Sequence, residues 1–241
     1  MHWILQQNPH DPSQLNKIIP CLERLNISYS IHKMIPALGG IIPHVITNEQ
    51  KIICFGSSYA IHSVAMNQGW NPGVYDIEAL DFTVQLEHWG DLMLNADSNV
   101  LLFKDVHFEG KMFMRPSKEG KAFNGGIFEG SELPNIPPHI TIQLSSIKKI
   151  YAEYRLWVID SHVVASSSYR PLASSLVPDS VVRFAESVIS VWNPAKAFVL
   201  DVGETEHGMK IIEINTFNVA NLYAADVNAI ITSIEALNVV Q

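Results

Sequence analysis

Apolar and polar positions along this chain switch between a period of two and a period near 3.6, and the switches mark out alternating strands and helices. HWILQ is a strand candidate, followed by a turn around Pro9 to Pro12 and by PSQLNKIIPCLERLN, whose apolar residues fall at helical spacing with Ser13 as the N-cap. ISYSIHKMI and KIICFGSS are further strands, the latter ending in a small-residue turn before the helical AIHSVAMNQG. Strand, helix, strand, turn, helix predicts a small α/β lobe with a partly parallel sheet. FTVQLEHWGDLMLN reads as helix. ADSN then interrupts the apolar pattern, which places a lobe boundary near residue 95.

Strand patterns dominate the second half. GKMFMRPSKEGKAFNGGIF predicts two strands flanking a loop, and ITIQLSS one more. YRLWVI and HVVASSS alternate around an Asp160-Ser161 turn. VPDSVVRFAESVISVWN is an amphipathic helix with Asp179 as N-cap and Val181, Ala185, Val188 and Trp192 on one stripe. AKAFVLDV and MKIIEIN form a hairpin around GETEHG, and NVANLYAADVNAIITSIEALN closes the chain with helical spacing.

That last hairpin carries the most pointed chemistry. Alternation puts Ala197, Val199 and Asp201 on one side, and Ile211, Glu213 and Asn215 on one side of its partner. A hairpin centred near His207 sets Asp201 opposite Glu213, and opposed residues share a face. Two carboxylates so close repel unless a cation sits between them, and oxygen-only ligands select Mg²⁺ or Mn²⁺. The same spacing fits ordinary solvent-side strand residues, and both readings stand at this level.

Composition narrows the rest. The 241 residues, 47% of them hydrophobic, suffice for one large domain or two modest lobes. A net charge of −8 argues against a basic nucleic-acid surface. Cys21 and Cys54 sit in apolar contexts and form no metal motif, which fits a reducing cytosol. MHWILQQNPHDPSQ lacks the charged start and long apolar core of a signal peptide, and no apolar run reaches membrane-spanning length. A cytoplasmic protein without nucleic-acid or membrane partners is expected; nothing in the pattern fixes an oligomeric state.

Two further stretches point to anions. Arg115, Lys118 and Lys121 lie beside Gly125-Gly126 in the loop between two predicted strands, where a polyphosphate would find one planar fork and two mobile point charges. The loop lacks Walker spacing, so it is no P-loop, and a solvated basic turn is the alternative. Gly56-Ser57-Ser58 could hold an anion at a helix N-terminus or be a tight turn; it is not a dinucleotide fingerprint.

The order of these motifs resembles the ATP-grasp fold, an α+β architecture of two subdomains clamping ATP, here preceded by a small α/β pre-ATP-grasp lobe. The resemblance rests on Arg115-Pro116, the loop to Gly126, ITIQLSS, YRLWVID through Arg170, Asp201 and Glu213-Ile214-Asn215, and covers roughly residues 95 to 226. YRLWVIDSHVVASSSYR is similar to the hairpin of ligases that add glutamate to a ribosomal protein. The whole looks like the bacterial and phage clade named for two arginines and a lysine, proposed to ligate amino acids or peptides. The resemblance implies a lobe at 1–95 and an ATP-grasp domain at 96–241.

It also implies roles. Arg115 stands where the family usually has a lysine on the α/β-phosphates, and Lys118 and Lys121 reach phosphates from the loop. Gln143 is the hinge residue, with Leu144 and Ser145 offering backbone groups to adenine, and Glu153 holds ribose hydroxyls. Asp201, Glu213 and Asn215 hold one or two Mg²⁺, with Mn²⁺ as an alternative. Arg155 and Arg170 stabilise the transferred phosphoryl group. The implied activity is an ATP-dependent carboxylate–amine ligase acting on small-molecule or peptide substrates through an acyl-phosphate. An ATP-grasp kinase and a non-catalytic nucleotide-binding module are the alternatives.

Overall fold

The computed structural model describes residues 1–8, 12–35, 40–56, 60–69, 78–117 and 123–237. Three four-stranded sheets organise them. The first has the order β3-β2-β1-β4, from β1 (His2–Gln6), β2 (Tyr29–Ile35), β3 (Gly40–Ile42) and β4 (Ile52–Phe55). β1 pairs in parallel with both β2 and β4, whereas β3 is an antiparallel edge. Alternation decides its faces. Trp3, Leu5, Ile53 and Phe55 point one way, with Ile18 and Leu22 of α1 (Ser13–Arg24). Ile4, Ile41 and Cys54 point the other way, onto Ile61, Val64 and Ala65 of α2 (Ala60–Asn67). Helix α1 starts one residue earlier than its polar signal suggests. Pro12 occupies the cap position and Ser13 is already helical, because the Pro12 carbonyl takes the first backbone bond, from Asn16.

The second sheet is the centre of the molecule, with the order β10-β9-β11-β12 and every neighbour antiparallel. β9 (Ile150–Ile159) and β10 (His162–Arg170) are joined by Asp160 and Ser161, both at positive φ (50° and 66°), the twist a two-residue hairpin requires. β11 (Ala197–Thr205) and β12 (Gly208–Thr216) form the second hairpin. One face carries Leu156, Val158, Leu200 and Val202 under α4 (Asp179–Val191), whose buried stripe is Val181, Ala185, Val188 and Ile189. Asp179 is the first helical residue of α4 rather than its cap; Pro178 holds that position. The other face carries Trp157, Ile159, Ala197 and Val199, and it meets the first sheet and α5 (Val227–Ala236) in one continuous core. Helix α5 begins later than its apolar spacing suggests, because a 3₁₀ turn at Phe217–Val219 and turns at 223–225 precede the Asp226 cap. Phe217 pins the two sheets together, edge-on to both Trp3 and Phe55.

The third sheet, β5-β8-β6-β7, is wholly antiparallel. It comprises β5 (Asn99–Leu102), β6 (Lys111–Pro116), β7 (Gly126–Glu129) and β8 (Thr141–Ser145). Met114, Ile142 and Leu144 face their own core with Val106 and Ile136. The short edges β3 and β5 carry too few residues for a strand pattern of their own, and the sequence does not announce them. Helix α3 (Phe82–Trp89) packs with Ala79, Leu80 and Met93 on the α4 face of the central sheet. Among the described residues no helix is long and apolar enough to cross a membrane.

A buried chain of hydroxyls and imidazoles ties β1 to β2. His2 Nδ1 pairs with Ser28 Oγ and Nε2 with Ser30 Oγ, both at 2.7 Å, while Ser30 Oγ meets His32 Nε2 at 2.6 Å. His32 Nδ1 lies 2.6 Å from the Pro43 carbonyl and donates to it. Burial lowers both histidines below their ordinary 6.5. The unfolded chain therefore takes up protons near pH 6.5 before the native state does, and stability present above that value is lost as pH falls. The urea midpoint is expected to drop between about pH 7.5 and about pH 5.5, and His2→Asn to flatten that dependence. An unchanged midpoint over that range would contradict the assignment.

Candidate active site

The inner face of the central sheet changes character along its length. Trp157 and Ile159 on β9 and Ala197 and Val199 on β11 are apolar where the first sheet, α1 and α5 cover them. Two residues further on, the same rows turn ionic. Ser167, Arg155, Asp201 and Glu213 stand in register across β10, β9, β11 and β12. Asn215 is two residues from Glu213, and its Nδ2 lies 3.2 Å from Asp201 Oδ2 and 3.4 Å from Glu213 Oε1. The structure thus brings Asp201, Glu213 and Asn215 together.

It also corrects one neighbour. Ile211 does not share their face; it is fully buried on the α4 side with Val202. The register shifts between Asp201 and Val202, which pair with Glu213 and Ile211 and leave Ile212 as the extra residue. Such a bulge resets the alternation. Ile212 instead lies over Gly203, where an added Cβ would sit 3.3 Å from its Cδ1.

Arg155 holds the centre. Its Nε donates to Asp201 Oδ1 at 2.8 Å and its Nη2 to Oδ2 at 2.7 Å, a two-pronged pair with Asp201 1% exposed. Burial works against the Arg155 charge, but Asp201 outweighs it and holds the guanidinium more firmly protonated than usual. Burial pushes the Asp201 carboxyl upward, Arg155 opposes it, and Glu213 and Glu153 add to the rise. Tyr169 and Tyr223 stack on each other with centroids 5.1 Å apart, and the guanidinium carbon lies 5.5 and 5.1 Å from their rings. Neither tyrosine stands out in the sequence; Tyr223 is set by the fold, at a φ of 45°. Helix α1 holds that turn: Gln14 bonds Asn221 Oδ1 and Leu222 N, and Lys17 bonds the Tyr223 carbonyl.

The next row carries Arg170, Glu153 and Gly203. Arg170 Nη1 meets Glu153 Oε1 at 2.8 Å, with its own side chain 71% exposed. Glu153 is buried and also bonds Tyr169, so it belongs to the Arg155–Asp201 cluster.

Across the cleft, Arg115 on β6 sits opposite Gln143 on β8, on the face away from Met114 and Leu144. Arg115 Nη2 reaches Glu213 Oε2 at 2.5 Å, linking the third sheet to the second. An added Cβ at Gly125 would fall 2.9 Å from Arg115 Cβ, so only glycine lets the far side of the loop lie against this residue. Lys118 and Lys121 lie outside the described residues, as do Ser57 and Ser58. Gln143 is buried, its Nε2 2.9 Å from Ser98 Oγ. Leu144 and Ser145 lie inside β8 between β5 and β6, so their backbone groups face ladders on both sides. Ser146 follows the ladder, and Asp97 accepts from its N–H at 3.2 Å, its hydroxyl at 2.6 Å and Lys148 at 2.7 Å. Partial burial opposes the Asp97 charge, but these donors outweigh it and hold its carboxyl below the usual range. In the sequence Asp97 is only part of the ADSN interruption.

Beside the end of β8 lies a pocket of about 590 Å³, lined by Met93, Leu94, Ile147, Lys149, His207 and Lys210 among others. Burial pushes the Cys54 thiol up to about 12, so it supplies no nucleophile. Among the described residues no three of His, Cys, Asp or Glu gather as a metal site. A cation would therefore rest on two carboxylates, the Asn215 carbonyl and oxygens of its own ligand. That all-oxygen set suits Mg²⁺, which keeps several ligands from water and phosphate.

A family model for an ATP-grasp domain, family 3 of the clade named for two arginines and a lysine, matches residues 40–234. No curated protein matches the chain in sequence. Among solved structures it is similar to the ATP-grasp ligase PsnB complexed with minimal precursor, at TM-score 0.57 and 12% identity over 97% of this chain and 98% of that one. It is similar to a RimK domain ATP-grasp protein from Sphaerobacter thermophilus, at TM-score 0.61 and 11% identity over 90% and 91%. A D-alanine–D-alanine ligase from Bacillus anthracis complexed with ATP gives TM-score 0.63 and 8% identity over 98% and 96%. At these identities the likeness establishes the fold.

The buried pair makes the site sensitive to charge removal. Asp201→Ala leaves Arg155 uncompensated and is expected to destabilise the protein by about 3–5 kcal/mol. Adding Arg155→Met should recover most of that loss, as read from urea midpoints. Equal instability of the single and double variants would mean the pair is not the origin.

Proposed function

Because this chain belongs to family 3 of the ATP-grasp clade named for two arginines and a lysine, we propose that it is an ADP-forming carboxylate–amine ligase that joins amino acids or peptides. The observation that carries the reading is the meeting of Arg115, Glu213, Asp201, Asn215 and Arg155 between two sheets. Cations and oxygen ligands face each other there, which is what a triphosphate and its metal require. We read residues 1–95 as a first lobe that builds part of the acceptor site and residues 96–241 as the ATP-grasp domain, with α3 docked on the latter.

We assign the base of ATP to the pocket beside the end of β8, with the Ser146 backbone as a polar contact and Met93, Leu94 and Ile147 as apolar walls. Lys210 on that wall lies three residues from Glu213 along β12. At about 3.3 Å per residue the two are roughly 10 Å apart, within the length of a nucleotide. Glu153 is the carboxylate for the ribose hydroxyls. Arg115, with Lys118 and Lys121, takes the phosphates, and Arg115 exchanges Glu213 for a phosphate oxygen as it does so. Asp201, Glu213 and Asn215 are the residues that hold Mg²⁺, or Mn²⁺, one ion or two. When bound, the cation screens phosphate charge and polarises the γ-phosphoryl oxygens.

The residues then support two displacements. An oxygen of the substrate carboxylate attacks the γ-phosphorus, ADP leaves, and an acyl-phosphate forms. Arg155 and Arg170 neutralise charge on the phosphoryl oxygens. An amine nitrogen next attacks the acyl carbon, inorganic phosphate leaves, and the nitrogen releases its proton to solvent. The exposed Arg170 is free to leave Glu153 for the substrate, whereas the boxed Arg155 stays aligned. A peptide substrate is favoured by likeness to PsnB, solved with a precursor peptide. A cytosolic setting fits the two free cysteines.

ADP release measured against a panel of amino acids and peptides, with mass spectrometry of the product, tests the reading. Mass gained by amide formation is expected with at least one pair; ADP with a phosphorylated product and no amide would indicate a kinase. Arg170→Ala should cut turnover by about 10²–10³ while ATP affinity stays within a few-fold. A non-catalytic binding module would bind ATP and release no ADP with any carboxylate.

A further inference from the structure

Two buried oxygens in the cleft have no hydrogen-bond partner among the described residues. Gln85 on α3 is 3% exposed and donates its Nε2 to the Leu80 carbonyl at 3.1 Å, which fixes Oε1 as the other end of the carboxamide; Oε1 is unpaired. Ser117, 4% exposed, has an equally unpaired Oγ. Both side chains line the same cleft as Arg115, Gln143, Ile212 and Glu213. The start of α3 adjoins the end of β6, since Phe82 N donates to the Ser117 carbonyl at 3.4 Å. A polar atom removed from water and left unpaired is costly, and folded proteins keep few of them. Where two converge on one cleft beside an arginine, a ligand with complementary groups explains them.

We propose that Gln85 and Ser117 are contacts of the bound nucleotide, resting on the ATP-binding reading above. Their chemistry divides the labour. A triphosphate at neutral pH offers acceptors, so the Ser117 hydroxyl donates to a phosphate oxygen. The Gln85 oxygen can only accept, and the donors that arrive at this end of the nucleotide are waters held by its divalent cation. Gln85 therefore senses the hydrated metal, and Ser117 the phosphate itself. In the present conformation the cavity they line measures about 20 Å³, space for one water. The triphosphate is admitted when Arg115 releases Glu213, and it then meets two groups already desolvated.

Calorimetric titration of ATP into the full chain, with Mg²⁺ and with EDTA, separates the two roles, alongside thermal unfolding of the nucleotide-free protein. Ser117→Ala should weaken ATP about five- to tenfold under both conditions, the scale of one lost hydrogen bond. Its nucleotide-free melting temperature should hold, because the hydroxyl has no partner to lose among the described residues. Gln85→Leu should weaken ATP about five- to tenfold with Mg²⁺ and leave metal-free binding unchanged. Wild-type affinity in Ser117→Ala would overturn the Ser117 contact even if Gln85→Leu fails to fold. Equal losses for Gln85→Leu with and without Mg²⁺ would overturn its role at the hydrated cation. A wild-type protein that binds no ATP under either condition would instead remove the nucleotide reading itself.

Discussion

The Arg155–Asp201 pair is the constraint around which the centre of this molecule is arranged. A charge at 1% exposure is tolerable only with its partner in contact and its remaining lone pairs met. The sheet supplies the first condition by register, since Asp201 and Arg155 are direct cross-strand neighbours on β11 and β9. Asn215 contributes to the second by donating to Asp201 Oδ2, and the stacked Tyr169 and Tyr223 cover the guanidinium. The turn that carries Tyr223 is held by Gln14 and Lys17 of α1, so a helix packed on the first sheet contributes to an ion pair in the second.

The second ion pair has a different character. Arg115 and Glu213 retain 29% and 27% exposure, and such a partly solvated pair contributes on the order of 1 kcal/mol or less. It links two sheets across the cleft yet gives way at little cost. The buried pair thus joins two strands within the central sheet, and the partly solvated one joins that sheet to the third. The β-bulge at Ile212 belongs to the central sheet: it turns an apolar side chain toward the cleft beside Glu213 and sends Ile211 into the core.

Much of this was legible in the chain. The strand-forming runs YRLWVI, HVVASSS, AKAFVLDV and MKIIEIN, joined in pairs by short polar turns, point to hairpins, and because β9 and β11 are buried on both faces it is the turns that specify their register. A hairpin centred on His207 sets Asp201 opposite Glu213; the turn itself pairs Thr205 with Gly208 and is centred half a residue earlier, and the bulge at Ile212 restores that pairing. The order of motifs pointed to the ATP-grasp fold. Local chemistry carries this information, since alternation, turn residues and helical spacing act over a few neighbours.

What only the tertiary structure decided are the partners of those residues. Nothing near Arg155 in the sequence says that its counter-charge lies 46 residues away, or that Tyr169 and Tyr223 close over it. Nothing near Ser146 names Asp97, and nothing near Glu213 names Arg115. The bulge at Ile212 escaped alternation because a strand pattern cannot show where one residue is inserted against its partner. The Ser13 and Asp179 caps missed by one position because the proline ahead of each takes the cap position. Sequence periodicity specifies which face a side chain occupies; which groups share that face across strands, sheets and lobes is set by register and packing, and these exist only once the chain has closed on itself.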